Sequence, residues 1–151
     1  MENPYSAPKS DMGQSLSTDS TSMFSPNQIT LGAFIGGPLA AVYFLYQNFS
    51  ALNQFDKAQQ TLRWGLSLCL VFICLLPIIP ENFPNTVIPI VYCIVARQIA
   101  EKHQCSKQQI IESDLFRFQS NWRVLVITVT ALILLMVLVI PVIFAFEMFS
   151  A

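Results

Sequence analysis

Charged residues are scarce in this sequence: Asp, Glu, Lys and Arg make up 11% of its 151 residues, against about 25% in a typical soluble domain. Their formal charges nearly cancel, at −1 overall. The chain therefore has no basic field that would favour nucleic acid, and we expect no nucleic-acid partner. Apolar residues account for 54% of the chain and the mean hydropathy is +0.54. This balance indicates a protein whose partner is the lipid bilayer.

Patterns of catalytic and metal-binding residues are also missing. The sequence has one histidine and contains no G-x-S-x-G, H-E-x-x-H or Gly-rich phosphate loop. His103 lies between Glu101 and Cys105, and these residues cannot complete a tetrahedral zinc site by themselves. The other three cysteines lie in apolar runs, which favours buried thiols. We expect no cofactor, no metal and no enzyme activity, unless Glu101, His103 and Cys105 converge with other polar groups.

The first 28 residues are rich in Ser, Thr, Pro, Asn and Asp. Such a composition cannot bury enough apolar surface to offset the entropy of ordering, so we predict a disordered tail over residues 1–28. Residues 29–151 then form a transmembrane domain. The fold class we predict is all-α, a polytopic transmembrane helical bundle of four helices, at about 29–49, 62–79, 86–100 and 124–146.

The predicted helices differ in the length of their uncharged runs. The first and fourth are uncharged over about 21 and 23 positions, enough for one bilayer crossing each. The third is the shortest: its charge-free part ends at Ala96 and Pro89 interrupts its first turns. It is either a full crossing or a short, tilted or partly re-entrant segment.

A weaker periodic pattern lies between the third and fourth predicted helices, at about 107–122. Apolar residues recur there at spacings of four, three and four, namely at Ile111, Leu115, Phe118 and Trp122. The pattern predicts a short amphipathic helix, which either lies on the membrane surface or packs on the bundle.

Small residues recur every four positions in the first predicted helix. The helix-packing set is Gly32, Gly36, Gly37, Ala40 and Ala41. Small residues at this spacing let helix backbones approach closely, and in lipid such packing drives helices together. We expect this face to pack within the chain, or alternatively to form a homodimer surface.

Each of the predicted helices contains a proline, and three of these are predicted kink positions: Pro38, Pro89 and Pro141. A proline inside a helix removes one hydrogen bond and clashes with the preceding turn. Pro38 follows two glycines directly, which makes a kink most pronounced there.

Lys and Arg residues are distributed unevenly. Of the eight, two lie in the connection 50–63 and five lie at 97–123. Because positive charge concentrates on the cytoplasmic side, we predict that both connections are cytoplasmic. With four crossings, both termini then lie outside the cell.

The cores of the four predicted helices contain no ionisable residue, which argues against a proton-coupled carrier. We therefore favour a non-enzymatic membrane interaction or accessory protein that forms a homo-oligomer or joins a larger membrane complex. The alternative is a small transporter or channel component acting as an oligomer. In that case the path would be lined by polar groups in the helices, such as Gln47, Asn48, Gln98, Thr128 and Thr130.

The first predicted helix also carries a resemblance. Ser25, Pro26, Asn27, Gln28 and Ile29 are followed by Gly36, Gly37, Pro38, Leu39 and Ala40, and then by Asn48. This pattern resembles the first helix of small uncharacterised bacterial inner-membrane proteins. The resemblance implies a multi-pass protein of the inner (plasma) membrane and implies no mechanism.

Overall fold

The computed structural model describes residues 21–80, 82–84, 86–104, 107–112 and 116–150. Its elements are β1 (Thr21–Met23), α1 (Pro26–Ala51), α2 (Phe55–Leu75), a 3₁₀ turn (Leu76–Ile78), α3 (Val87–His103), α4 (Lys107–Glu112), β2 (Phe116–Phe118) and α5 (Asn121–Ser150). The predicted helical class is confirmed in outline, with two short strands added. By length and composition, Pro26–Ala51, Phe55–Ile78 and Asn121–Phe149 could each cross a membrane.

α1 begins with a capping box. The Ser25 hydroxyl accepts from the Gln28 backbone N–H, and the Gln28 side chain accepts from the Ser25 backbone N–H, with Pro26 at the start of the helix. Two donors that the first turn would leave unpaired are thereby satisfied. The helix therefore starts at Pro26, three residues earlier than the sequence predicted.

α1 folds back on itself at Gly37, whose backbone is non-helical at φ 75° and ψ −171°. Beyond this residue the chain returns, because the Phe24 N–H donates to Asn48 Oδ1 at 2.8 Å. A continuous helix would hold these two residues about 36 Å apart. α1 is therefore a helical hairpin with an N-terminal arm (residues 26–36), a C-terminal arm (residues 38–51), a tip at Gly37 and an open end near Asn48.

The hairpin differs from the single helix predicted at 29–49. The run has the predicted length and apolar composition, but its arms reach only about 16 and 21 Å along their axes. A bilayer core is about 30 Å thick. Each arm alone is shorter than this thickness.

The hairpin lies at the centre of the molecule, with α2, α3 and α5 around it. α2 runs antiparallel to the C-terminal arm, where Gly65 lies against Val42. α5 runs along the N-terminal arm, where Thr128 contacts both Gly32 and Gly36. α3 packs on both arms through small residues, and the buried core consists of Phe24, Ile29, Ala33, Ala40, Ala41, Phe44, Leu45, Cys93, Ala96, Ala100 and Val124.

The other predicted helices keep their places with shifted ends. α2 begins at Phe55 rather than 62, and the 3₁₀ turn forms its end. α3 covers Val87–His103, which makes it about 26 Å long and directs it from the hairpin tip back to the open end. α5 covers Asn121–Ser150, longer than the predicted 124–146.

β1 and β2 form a parallel pair, with Thr21 opposite Phe116 and Met23 opposite Phe118. This pair corrects two predictions. The amphipathic helix expected over 107–122 ends at Glu112, because Phe116–Phe118 is a strand; Leu115 lies outside the described residues. The disordered tail predicted over 1–28 is wrong for residues 21–28, since β1 and the α1 cap have partners far along the chain. Residues 1–20 lie outside the described residues.

Candidate functional site: the hairpin and its adjoining cavities

The hairpin tip depends on a glycine followed by a proline. The Gly37 backbone lies in a region that essentially only glycine adopts. A Cβ at this position would also lie 2.9 Å from Leu135 Cδ2 of α5. Pro38 then starts the C-terminal arm, where its missing N–H leaves no bond unmade. The kink predicted at Pro38 is thus a reversal of the chain, located at Gly37.

The other two predicted kink positions lie within α3 and α5. Pro89 is the third residue of α3 and therefore lies in its first turn, where a proline removes no intrahelical hydrogen bond. Pro141 lies inside α5, which continues from Asn121 to Ser150.

Glycines allow the hairpin arms and α5 to approach closely. A Cβ at Gly32 would lie 2.4 Å from Phe44 Cε2, and one at Gly36 would lie 2.9 Å from the Thr128 backbone oxygen. The predicted packing set is buried throughout: Gly32, Gly36, Gly37, Ala40 and Ala41. These contacts lie within the chain, so the packing set is covered by the chain's own helices.

Amide side chains close the open end of the hairpin. Asn48 Oδ1 accepts from the Phe24 N–H, while Asn48 Nδ2 donates to Phe24 O at 2.7 Å and to Gln104 Oε1 at 3.0 Å. Gln104 Nε2 in turn donates to Leu45 O at 2.9 Å. We call Asn48 and Gln104 the amide clasp. With Asn48 only 1% exposed, the clasp joins both ends of the hairpin to the end of α3.

A second amide ties the hairpin to α5. Gln28 Nε2 donates to Gln119 O at 2.9 Å and to Asn121 Oδ1 at 2.8 Å. The Gln119 N–H donates to Met23 O at 2.8 Å. The start of the N-terminal arm, β1 and the start of α5 therefore form one hydrogen-bonded unit.

The polar groups expected to line a transport path are mostly bonded within the chain. Gln47 Nε2 donates to the Tyr43 hydroxyl and the Thr130 hydroxyl donates to Val126 O, while Asn48 belongs to the clasp. Thr128 is 4% exposed, and its hydroxyl has no partner among the described residues; it lies against Gly32. Gln98 is exposed on α3. These groups do not converge on one path.

Two apolar cavities adjoin the hairpin. The tip cavity, of about 620 Å³, lies between Gly37 and Pro38, the turn after α2, and the middle of α5. The groove, of about 720 Å³, lies between α2 and α3, and the C-terminal arm forms its floor through Val42 and Leu45. Both are lined almost entirely by apolar side chains, so they suit hydrocarbon rather than a polar substrate.

The polar residues near the end of α3 do not assemble a catalytic or metal site among the residues described. Glu101 pairs with Arg97, four residues earlier, at 2.8 Å. His103 is exposed, and Cys105 lies outside the described residues. Within the described part of the chain, no three His, Cys, Asp or Glu residues come together in a metal-binding group.

The sequence pointed to the glycines of the hairpin but not to the clasp. Asn48 stood out there only as part of a family resemblance and as a channel-lining candidate, and Gln104 not at all. The available signal was a polar amide in the last turns of an uncharged run, which must find a partner when buried. No family model, curated protein or solved structure matches this chain.

Proposed function

We propose that this chain is a non-enzymatic membrane interaction or accessory protein, anchored by three crossings (α2, α3 and α5) and a re-entrant hairpin. The observation that carries the proposal is the unequal covering of its apolar helices. In their most apolar stretches, 50% of α1 is buried, against 11% in both α2 and α5. α1 packs mainly against the other helices of the chain, whereas the outer faces of α2 and α5 are available for lateral contacts in the bilayer.

The helix lengths support two of the three crossings, those of α2 and α5. Phe55–Ile78 and Asn121–Phe149 correspond to about 36 and 44 Å of helix, more than the roughly 30 Å of a bilayer core. α3 is about 26 Å long, slightly less than this thickness. Its proposed crossing therefore requires Arg97 and Lys102 to reach the headgroups along their aliphatic stems.

Charge supports an orientation with the open end of the hairpin in the cytoplasm. The Lys and Arg residues of the described chain lie in the halves of α2, α3 and α5 nearest that end, or in α4 and β2 between them: Lys57, Arg63, Arg97, Lys102, Lys107, Arg117 and Arg123. Under the positive-inside rule these connections are cytoplasmic, as the sequence also predicted. β1 is then cytoplasmic as well, and the end of α5 lies outside. This replaces the expectation that both termini lie outside, which required α1 to cross.

A single position separates the two topologies. In a cysteine-free background, we expect the S22C variant to resist an impermeant thiol reagent in intact spheroplasts and to react after permeabilisation, because β1 lies at the cytoplasmic open end. M148C and N82C should react in intact spheroplasts under either topology and serve as matched controls. Labelling of S22C in intact spheroplasts would contradict the re-entrant hairpin and would mean that α1 crosses the membrane.

Lateral association is testable by crosslinking in native membranes. Val137 lies on the uncovered face of α5 and is 61% exposed, whereas Ala33 is buried in the hairpin. In a cysteine-free background, we expect V137C to form a crosslinked adduct with a short bismaleimide and A33C to form none. A monomeric V137C at native expression would contradict the proposal.

The alternative, an oligomeric transporter or channel component, is weakened by the internal bonding of Gln47, Asn48 and Thr130. Purified protein reconstituted in liposomes should give ion and proton fluxes equal to those of empty vesicles. A flux that requires the protein would favour the alternative instead.

A further inference from the structure

At the open end of the hairpin, the groove between α2 and α3 is followed by a lysine on each of the two helices. On α2, Thr61, Trp64 and Leu68 line the groove, and their spacing defines one helix face. Lys57 lies four residues before Thr61 and therefore one turn further along that face. Lys57 is exposed, and this position places it just beyond the end of the groove.

α3 repeats this arrangement on the opposite wall. Val95 and Ile99 line the groove, and Lys102, three residues after Ile99, lies on the same face and is exposed. The neighbouring acids do not share these faces. Asp56 and Glu101 lie more than 100° around their helices from the groove direction, by the roughly 100° turn per residue. Glu101 also pairs with Arg97 at 2.8 Å.

We infer that the groove binds one anionic phospholipid, with an acyl chain between α2 and α3 and the phosphate between Lys57 and Lys102. From Thr61 to Leu75 the groove follows α2 for about 21 Å, longer than the roughly 15 Å of hydrocarbon in one leaflet. Its wall is apolar along this length, and basic mouths between membrane helices bind anionic headgroups. A zwitterionic lipid fits the same wall but gains little from two ammonium groups. The inference goes beyond the proposed accessory role and rests on the proposed crossings of α2 and α3, which the thiol-labelling experiment tests separately.

A tryptophan in the groove provides the readout. Trp64 lines the groove and Trp122 lies at the start of α5, so a W122F variant leaves Trp64 as the only tryptophan. We would reconstitute this variant in phosphatidylcholine vesicles that contain a minor share of brominated phosphatidylglycerol, or the same share of brominated phosphatidylcholine. We expect Trp64 quenching to show at least about a fivefold preference for the anionic lipid, because each lysine near a membrane surface contributes about that factor.

Matched charge variants decide whether the groove is responsible. Adding K57Q and K102Q should abolish the preference. R63Q with R97Q removes the same charge from the opposite faces of the same helices and should leave the preference in place. An unchanged preference in the lysine variant, or an equal loss in the arginine variant, would overturn the inference. So would equally weak quenching by both lipids together with crosslinking through L68C, because a second copy of the chain would then occupy the groove.

Discussion

Replacing Asn48 with leucine is expected to lower the free energy of unfolding by about 3 kcal/mol or more. The substitution removes three hydrogen bonds and leaves the buried Phe24 N–H and carbonyl without partners. Each such unpaired buried group costs about 1–3 kcal/mol. The measurement is denaturant-induced unfolding in mixed micelles, followed by circular dichroism. Hydrogen exchange should show in addition that the Phe24 amide loses its protection.

The adjacent amide provides the control for this prediction. Gln47 bonds only the Tyr43 hydroxyl, in an exposed position, so Gln47→Leu should change stability by no more than about 0.5 kcal/mol. Equal effects of the two substitutions would mean that the clasp does not hold the hairpin closed.

Replacing Gly36 with leucine is expected to cost about 3 kcal/mol or more, or to prevent accumulation of the folded protein. The first added carbon would already lie 2.7 Å from Ala40 Cβ and 2.9 Å from the Thr128 backbone oxygen. Backbone of a neighbouring helix moves only if the helix itself moves, so the hairpin arm and α5 must separate. Thermal unfolding of the detergent-solubilised protein measures the effect.

Substitutions of increasing size at Gly36 should destabilise the protein to increasing degrees. Gly36→Ala should destabilise by about 1–3 kcal/mol, less than the leucine variant. Ser67→Leu introduces the same side chain on the exposed face of α2 and should stay within about 0.5 kcal/mol of the original protein. An unaltered melting temperature for Gly36→Leu would contradict the close packing of the hairpin against α5.

Composition and run length were enough to predict the helical segments. An uncharged apolar run can satisfy its backbone hydrogen bonds in lipid only as a helix, so α2 and α5 were found to within several residues of their ends. The glycine spacing likewise predicted a close approach of helices. That approach occurs at Gly32 and Gly36, inside the chain.

The reversal of α1 could not be read from the same features. An uncharged run of about 21 residues has the length of a crossing whether it is straight or folded. Whether the run is straight or folded depends on the backbone conformation at Gly37 and on the hydrogen bonds that stabilise the hairpin. Those bonds join Asn48 to Phe24, 24 residues away, and to Gln104, 56 residues away. Local periodicity contains no information about such distant pairs.

The strand pair was missed for a related reason. Phe116 and Phe118 alternate as a strand requires, but a three-residue element is too short to outweigh the helical spacing of Ile111, Phe118 and Trp122. Its partner β1 lies in a stretch whose composition predicts disorder. Each strand becomes stable only because the other is present.

The bonds between Gln28 and the start of α5 also bear on biosynthesis. These residues are 91 positions apart, so at about 5–20 residues per second the ribosome makes the second partner roughly 5–20 seconds after the first. Throughout that interval the N-terminal arm has neither α5 nor β2 to pack against. The nascent hairpin is therefore incompletely packed during this interval, and α5 completes the packing of a helix made long before it.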